Sequence, residues 1–243
     1  MKLNHGMILA SWLGKRMQPI TLKTPKPLIQ IGEKSLLERA IDLLINHGIE
    51  EIAINVYHLP GQIKDFISSK KYKAKIIISD EQDMLLDTGG GILHATRYFK
   101  KPFVAVNPDT LWSDAYCNEL KDLEDLYLKK KKPCLLLVNK NLSFDSSFKG
   151  DFNLNDGVIS RDNNNEFIFT GLQILDQSVF SSVKDKIFSM NKIWNYLIEN
   201  NSLIGKESKQ KFYHLNTKEM YDKISNLRNY WLKIIVLALL SSK

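Results

Sequence analysis

The chain has 243 residues, room for one large α/β domain or two small ones. Apolar residues make up 44% and charged residues 25%, the profile of a globular protein with a core to bury and not of a disordered chain. The net charge of +7, from 34 basic against 27 acidic residues, comes without an interleaved aromatic and basic stripe, so it reads as a solvated surface that attracts polyanions and not as a nucleic-acid footprint.

Along the first half, short apolar runs alternate with helical patterns, the signature of βαβ units. Met7–Ser11 predicts a buried first strand, and a long polar loop with prolines follows over Trp12–Pro27. Ser35 and Glu38 form a capping box, after which Leu37, Ala40, Ile41 and Leu44 line one face of a helix ending near Gly48. Glu51–Val56 predicts a strand, Pro60–Ile67 a helix and Ala74–Ile78 a strand. Gly91–Phe99 predicts a helix opening after the run Gly89, Gly90 and Gly91. Phe103–Asn107 and Cys134–Asn139 predict strands on either side of a helix around Glu119–Leu128. In the second half Asp151–Leu154, Val158–Ser160 and Phe167–Ile174 read as a β-meander, with helices near Lys192–Glu199 and from Thr217 onward. The first half is expected to form a parallel sheet with crossover helices, and ligands of such sheets sit at the carboxyl ends of the strands.

Cys117 and Cys134 stand in no metal-like or redox-like spacing, so two reduced thiols in a reducing compartment are expected. The N-terminus carries no secretory pattern, because the apolar run Met7–Leu13 is short and charge follows it, and a cytoplasmic protein is the expectation. Tyr230–Leu240 is almost wholly apolar but too short for a bilayer-spanning helix, which takes about 20 residues. It reads as a helix end packed on the domain, as a subunit contact that makes an oligomer, or as a membrane-surface contact. Residues 1–224 are expected to form one domain and 225–243 an apolar helical extension.

Two segments carry chemistry. Leu13, Gly14, Lys15, Arg16 and Met17 follow the first strand, and Thr24-Pro25-Lys26-Pro27-Leu28 comes ten residues later. A glycine loop lets backbone N–H groups approach a phosphate. Arg16 can fork two phosphate oxygens, and Lys26 can deliver a point charge to a reacting phosphoryl group. Asp109 follows the Phe103–Asn107 strand, where a carboxylate at a sheet's carboxyl edge can hold a hard cation; a plain turn residue is the alternative.

The stretch from Met7 to Leu28 resembles the signature segment of the sugar-1-phosphate nucleotidyltransferases. Further segments keep pace: Asn55–His58, Leu86–Gly91, Asn107–Trp112, Lys149–Phe152, Thr170-Gly171, Phe188–Asn191 and Tyr213–Thr217. The Leu86–Gly91 and Gly150–Phe152 segments most resemble the branch that uses UTP and N-acetylmuramate 1-phosphate in cell-wall sugar recycling. The resemblance implies a Rossmann-like three-layer α/β/α fold with a mostly parallel mixed sheet, Mg²⁺ as cofactor, and a nucleoside triphosphate and a sugar 1-phosphate as substrates. It implies Leu13, Gly14, Lys15, Arg16 and Lys26 at the nucleotide, with Arg16 and Lys26 catalytic, and Gly89 and Gly90 at the base. The glycines can equally mark a helix start that needs close packing. It implies Asn107, Gly150, Asp151 and Thr170 at the sugar phosphate, and Asp109 with His214 at the metal. A guanylyltransferase of the mannose 1-phosphate type and a non-catalytic nucleotide-sugar-binding protein are the alternatives.

The pattern has departures. Trp12 stands where the family has glycine, so its indole either fills the base pocket or turns away and packs on the core. Pro108 removes an N–H beside Asp109. His214 occupies a position that many relatives give to a second metal aspartate, and Mg²⁺ prefers oxygen ligands. Asn216 and Lys218 replace a glycine and a proline.

Overall fold

Alternation along the strands decides the layers. Met7 and Leu9 face one side of the sheet and Ile8 the other; Phe103 and Ala105 oppose Val104 and Val106; Leu135 and Leu137 oppose Cys134 and Leu136. Both sets are buried, as strands covered on two faces require. The computed structural model describes residues 2–82 and 84–227.

The elements in chain order are β1 (His5–Leu9), a small hairpin of β2 (Gln30–Ile31) and β3 (Lys34–Ser35), α1 (Leu36–His47), β4 (Glu51–Val56), α2 (Pro60–Ser68), β5 (Lys75–Asp80), α3 (Asp87–Thr96), β6 (Phe103–Val106), α4 (Ala115–Lys130), β7 (Cys134–Asn139), β8 (Asn153–Asn155), β9 (Val158–Ser160), β10 (Phe167–Leu175), α5 (Met190–Glu199) and β11 (Ile204–Ser208). A helix over 218–227 follows and runs past position 224 without a break. The apolar stretch Tyr230–Leu240, and with it the subunit contact, lies outside the described residues.

The main sheet has the order β5-β4-β1-β6-β10-β7-β11-β9-β8. All strands but β9 and β10 run one way, so it is a mixed, mostly parallel sheet. Helices α1, α2 and α4 cover one face, and α3 and α5 cover the other. The three-layer α/β/α expectation holds.

Helix α1 shows how sequence makes an element. The Ser35 Oγ accepts the Glu38 N–H at 3.1 Å, and Gly48 closes the other end at φ 97°. Between the caps Leu37, Ala40, Ile41 and Leu44 are fully buried, each leucine or isoleucine stabilising by about 1.5–3 kcal/mol. The Glu38 carboxylate does not complete the capping box; it pairs with Lys70 of the loop after α2.

Two expectations are corrected. The second half is not a meander: β8 and β9 form an edge hairpin, while β10 inserts antiparallel between β6 and β7. β11, absent from the pattern reading, pairs parallel with β7. Helix α3 starts at Asp87 and not at Gly91, which places the glycines inside its first turns.

Candidate functional site

At the carboxyl end of β1 the chain leaves the sheet through Gly14, whose φ of 61° suits glycine. A side chain there would bring its Cβ to 2.8 Å from Thr21 Cγ2. The Gly14 carbonyl accepts from the Thr21 hydroxyl at 2.9 Å and from the Met17 N–H at 2.8 Å, so the loop folds back on itself. Lys15 and Arg16 are left exposed on its outer side. A second tight turn over Lys26–Leu28 buries Lys26, which stands between Pro25 and Pro27. Behind it Ile29 and Ile31 pack with Met17, Met220 and Ile224, which ties this loop to the helix over 218–227.

The other wall comes from the end of β6. Asn107 N–H donates to the Gly171 carbonyl at 2.8 Å, the Thr110 hydroxyl to the Thr170 carbonyl at 2.6 Å, and Leu215 N–H to the Asp109 carbonyl at 2.8 Å. Thr110 pairs with His214 in an antiparallel bridge. These bonds aim three side chains at one point: Asp109 Oδ2 lies 2.6 Å from Lys26 Nζ and 2.9 Å from His214 Nε2. The side chains of Lys26 and Asp109 are 6% and 5% exposed, so this is a buried pair. Burial alone would push the Asp109 carboxyl up; the Lys26 ammonium and the His214 imidazole outweigh it and hold it well below the usual carboxylate range. Its other oxygen, Oδ1, is buried without a hydrogen-bond partner among the described residues, as are His214 Nδ1 and Asn216 Oδ1.

Two cavities meet at this cluster. The first, about 320 Å³, is lined by Trp12, Gly14, Lys15, Arg16, Lys26 and Asn216. The second, about 220 Å³, is lined by Thr110, Asp151, Arg161, Thr170, Asn191 and Trp194. Asn107, Asp109 and His214 line both. Asp151 presents surface to solvent yet is ringed by protein. That desolvation raises its carboxyl above the ordinary value, against the Phe169 N–H, Arg161 and His214, which lower it.

Of the residues singled out from sequence, Gly14, Lys15, Arg16, Lys26, Asn107, Asp109 and His214 surround the first cavity, and Asp151 and Thr170 the second. Leu13, Gly89, Gly90 and Gly150 line neither. Gly89 and Gly90 both donate their N–H to the Phe188 carbonyl, at 2.9 and 3.0 Å, and a Cβ on Gly90 would stand 2.3 Å from the Lys186 carbonyl oxygen. That is the close-packing reading of the glycine run. Trp12 packs on the core without turning away from the site. It sits between the sheet and α3 and α5, and its ring lines the first cavity, 5.3 Å from the Lys26 ammonium. Arg161 and Trp194 carry no sequence signal of their own. Asn191 stands in the Phe188–Asn191 segment, and Asn216 in Tyr213–Thr217.

Among the described residues no group of three or more His, Cys, Asp or Glu side chains gathers as a metal cage. No helix there is long and apolar enough to cross a membrane.

A sequence profile described as Nucleotidyl transferase matches residues 5–139. An N-acetylmuramate alpha-1-phosphate uridylyltransferase of Caulobacter vibrioides is 26% identical over 209 residues, 82% of this chain and 86% of its own. A D-glycero-alpha-D-manno-heptose 1-phosphate guanylyltransferase of Campylobacter jejuni is 29% identical over 181 residues, 74% of this chain and 76% of its own. A crystal structure of a UDP-glucose pyrophosphorylase complexed with UDP-glucose superposes with a TM-score of 0.77 at 20% identity, covering 95% of this chain and 99% of that one. At that identity the likeness speaks for the fold alone.

Proposed function

The chain belongs to the nucleotidyl transferase family, and from that premise we propose that it joins a nucleoside triphosphate, UTP first, to N-acetylmuramate 1-phosphate or a related sugar 1-phosphate, releasing pyrophosphate. The relatives named above act on sugar 1-phosphates, which supports the acceptor class. The observation that carries the proposal is the Lys26, Asp109 and His214 cluster at the junction of two cavities, one edged by Arg16 and the glycine loop.

A phosphate monoester has its second pKa near 6, so the acceptor is already an anion near neutral pH and needs no general base. The work is to align it on the α-phosphorus and to offset negative charge. In this reading the triphosphate lies in the first cavity, with Arg16 forking its oxygens and Lys15 adding charge at the rim. Lys26, fixed by Asp109, meets the phosphoryl group that changes hands. The sugar phosphate enters by the second cavity, past Thr170 and Asp151, and reaches the same point beside Asn107.

The donor set suits Mg²⁺, which is held by one or two carboxylates with substrate oxygens and water completing the shell. Asp109 Oδ1, buried and unpartnered, would hold the ion; His214 is a poor ligand for so hard a cation and serves the carboxylate through Oδ2. When bound, the ion supplies charge neutralisation on the phosphate oxygens.

The test is pyrophosphate release over a panel of UTP and GTP against N-acetylmuramate, mannose, glucose and heptose 1-phosphates with Mg²⁺. Turnover with UTP and N-acetylmuramate 1-phosphate above the other pairs is the expected result. Turnover only with GTP would reject the base assignment, and none with any pair would reject the enzyme.

A further inference from the structure

Arg161 stands on the wall of the second cavity and takes no part in the cluster around Asp109. It follows β9 and is held in three directions. Its Nε donates to the Asp151 main-chain carbonyl at 3.0 Å, one terminal nitrogen to Asn195 Oδ1 at 2.9 Å and the other to Asn191 Oδ1 at 3.0 Å. Its Cζ lies over the Phe152 ring, 4.4 Å from the centre. The guanidinium is therefore fixed in position and plane before any ligand arrives.

All three of its acceptors are neutral. The nearby Asp151 offers its main-chain oxygen, while its carboxylate Oδ2 accepts the Phe169 N–H at 2.9 Å. Among the described residues Arg161 has no salt bridge. A guanidinium has five N–H groups, and three are used here, leaving one on each terminal nitrogen. The Asp151 carboxylate acts on the guanidinium through its charge but accepts none of these hydrogen bonds, so the two remaining N–H groups are left to donate to the oxygens of a ligand carboxylate.

The 1-phosphate cannot be that anion. It must reach the α-phosphorus beside Lys26 and Asp109, where cations already stand. For the hydroxyl and amide groups of a sugar, Asp151 and Asn191 offer uncharged or hydrogen-bonding atoms on the same cavity wall. Resting on the nucleotidyltransferase reading above, we infer that Arg161 is a specificity-determining residue that binds a carboxylate carried by the sugar ring, so that the acceptor is an acidic sugar 1-phosphate.

The test compares kcat/KM for N-acetylmuramate 1-phosphate with that for N-acetylglucosamine 1-phosphate, which lacks the lactyl ether, in the wild type, Arg161→Gln and Arg161→Lys. The wild type should prefer the acidic sugar. Arg161→Gln should lose on the order of 30-fold or more on the acidic sugar, mainly through KM, and change by less than about three-fold on the neutral one. Arg161→Lys should restore part of the preference, as a charge without the fork. Equal loss on both sugars would overturn the inference, because it would make Arg161 a phosphate contact or a tie between β9 and α5. A wild type that turns over both sugars equally would overturn it while leaving the nucleotidyltransferase reading intact, and this result decides even if neither variant folds. A wild type that turns over no sugar 1-phosphate rejects that reading, and the inference with it.

Discussion

Lys26 and Asp109 hold each other at a cost that shows when one is removed. Asp109→Asn leaves an ammonium buried without its carboxylate, a change worth about 3–5 kcal/mol of stability. Denaturant unfolding at neutral pH should show a loss of that size, and a loss under about 1 kcal/mol would mean water reaches the pair. The pH dependence has a definite sign. The native carboxyl is depressed, so its contribution is whole above about pH 4, the unfolded range, and is lost as pH falls through the lower native value. Lys26→Ala should lower kcat/KM by about 100-fold or more, the scale of a lost preorganised charge contact, whereas Trp12→Phe, which keeps an aromatic face toward Lys26, should stay within about ten-fold of wild type. At this scale much of the candidate site was legible. Arg16, Lys26 and Asp109 sit in short local motifs, and the structure gathers them around one hollow. Arg161 was not legible, because its meaning comes from Asn191 and Asn195, 30 and 34 residues away on α5.

Helix α3 sets propensity against packing. Alanine is favoured over glycine in a helix by about 1 kcal/mol, so Gly90→Ala should stabilise on propensity alone. Its Cβ would instead meet the Lys186 backbone oxygen at 2.3 Å, and backbone cannot swing aside as a long side chain can. The clash outweighs the gain, and a net loss of about 1–3 kcal/mol is expected, read as a lower Tm. A variant with a raised Tm would show that the 186–188 segment does not pack on the helix. The strands divide the same way. β1, β4, β6 and β7 announce themselves as apolar runs. β11 reads Ile-Gly-Lys-Glu-Ser, without a β-branched run and with a glycine inside it, so no local pattern marks it. It is a strand because β7 offers it a parallel edge.

Across the whole molecule, the sheet order is the part that sequence alone could not supply. Phe167–Leu175 is visibly a strand, yet nothing within it says that it returns from the edge hairpin to lie between β6 and β7. That insertion brings Thr170 and Gly171 against Asn107 and Thr110 and so builds the wall shared by the two cavities. Three-layer packing, by contrast, follows from the two-faced burial of nearly every central strand. The net charge of +7 fits a site for polyanions, and association with a triphosphate should slow as salt rises, most steeply below about 0.1 M. A rate indifferent to salt would remove long-range attraction from the account.

The central claim is that a phosphate chain lies between the loop of Gly14 to Lys26 and the carboxylate of Asp109. A crystal structure of the protein with UTP and Mg²⁺ tests it most directly. The triphosphate is expected in the cavity of about 320 Å³, its oxygens against Arg16 and Lys26 and the ion at Asp109. Phosphates found instead in the hollow of about 580 Å³ beside α3, against Arg97, Lys184 and Lys186, would contradict it.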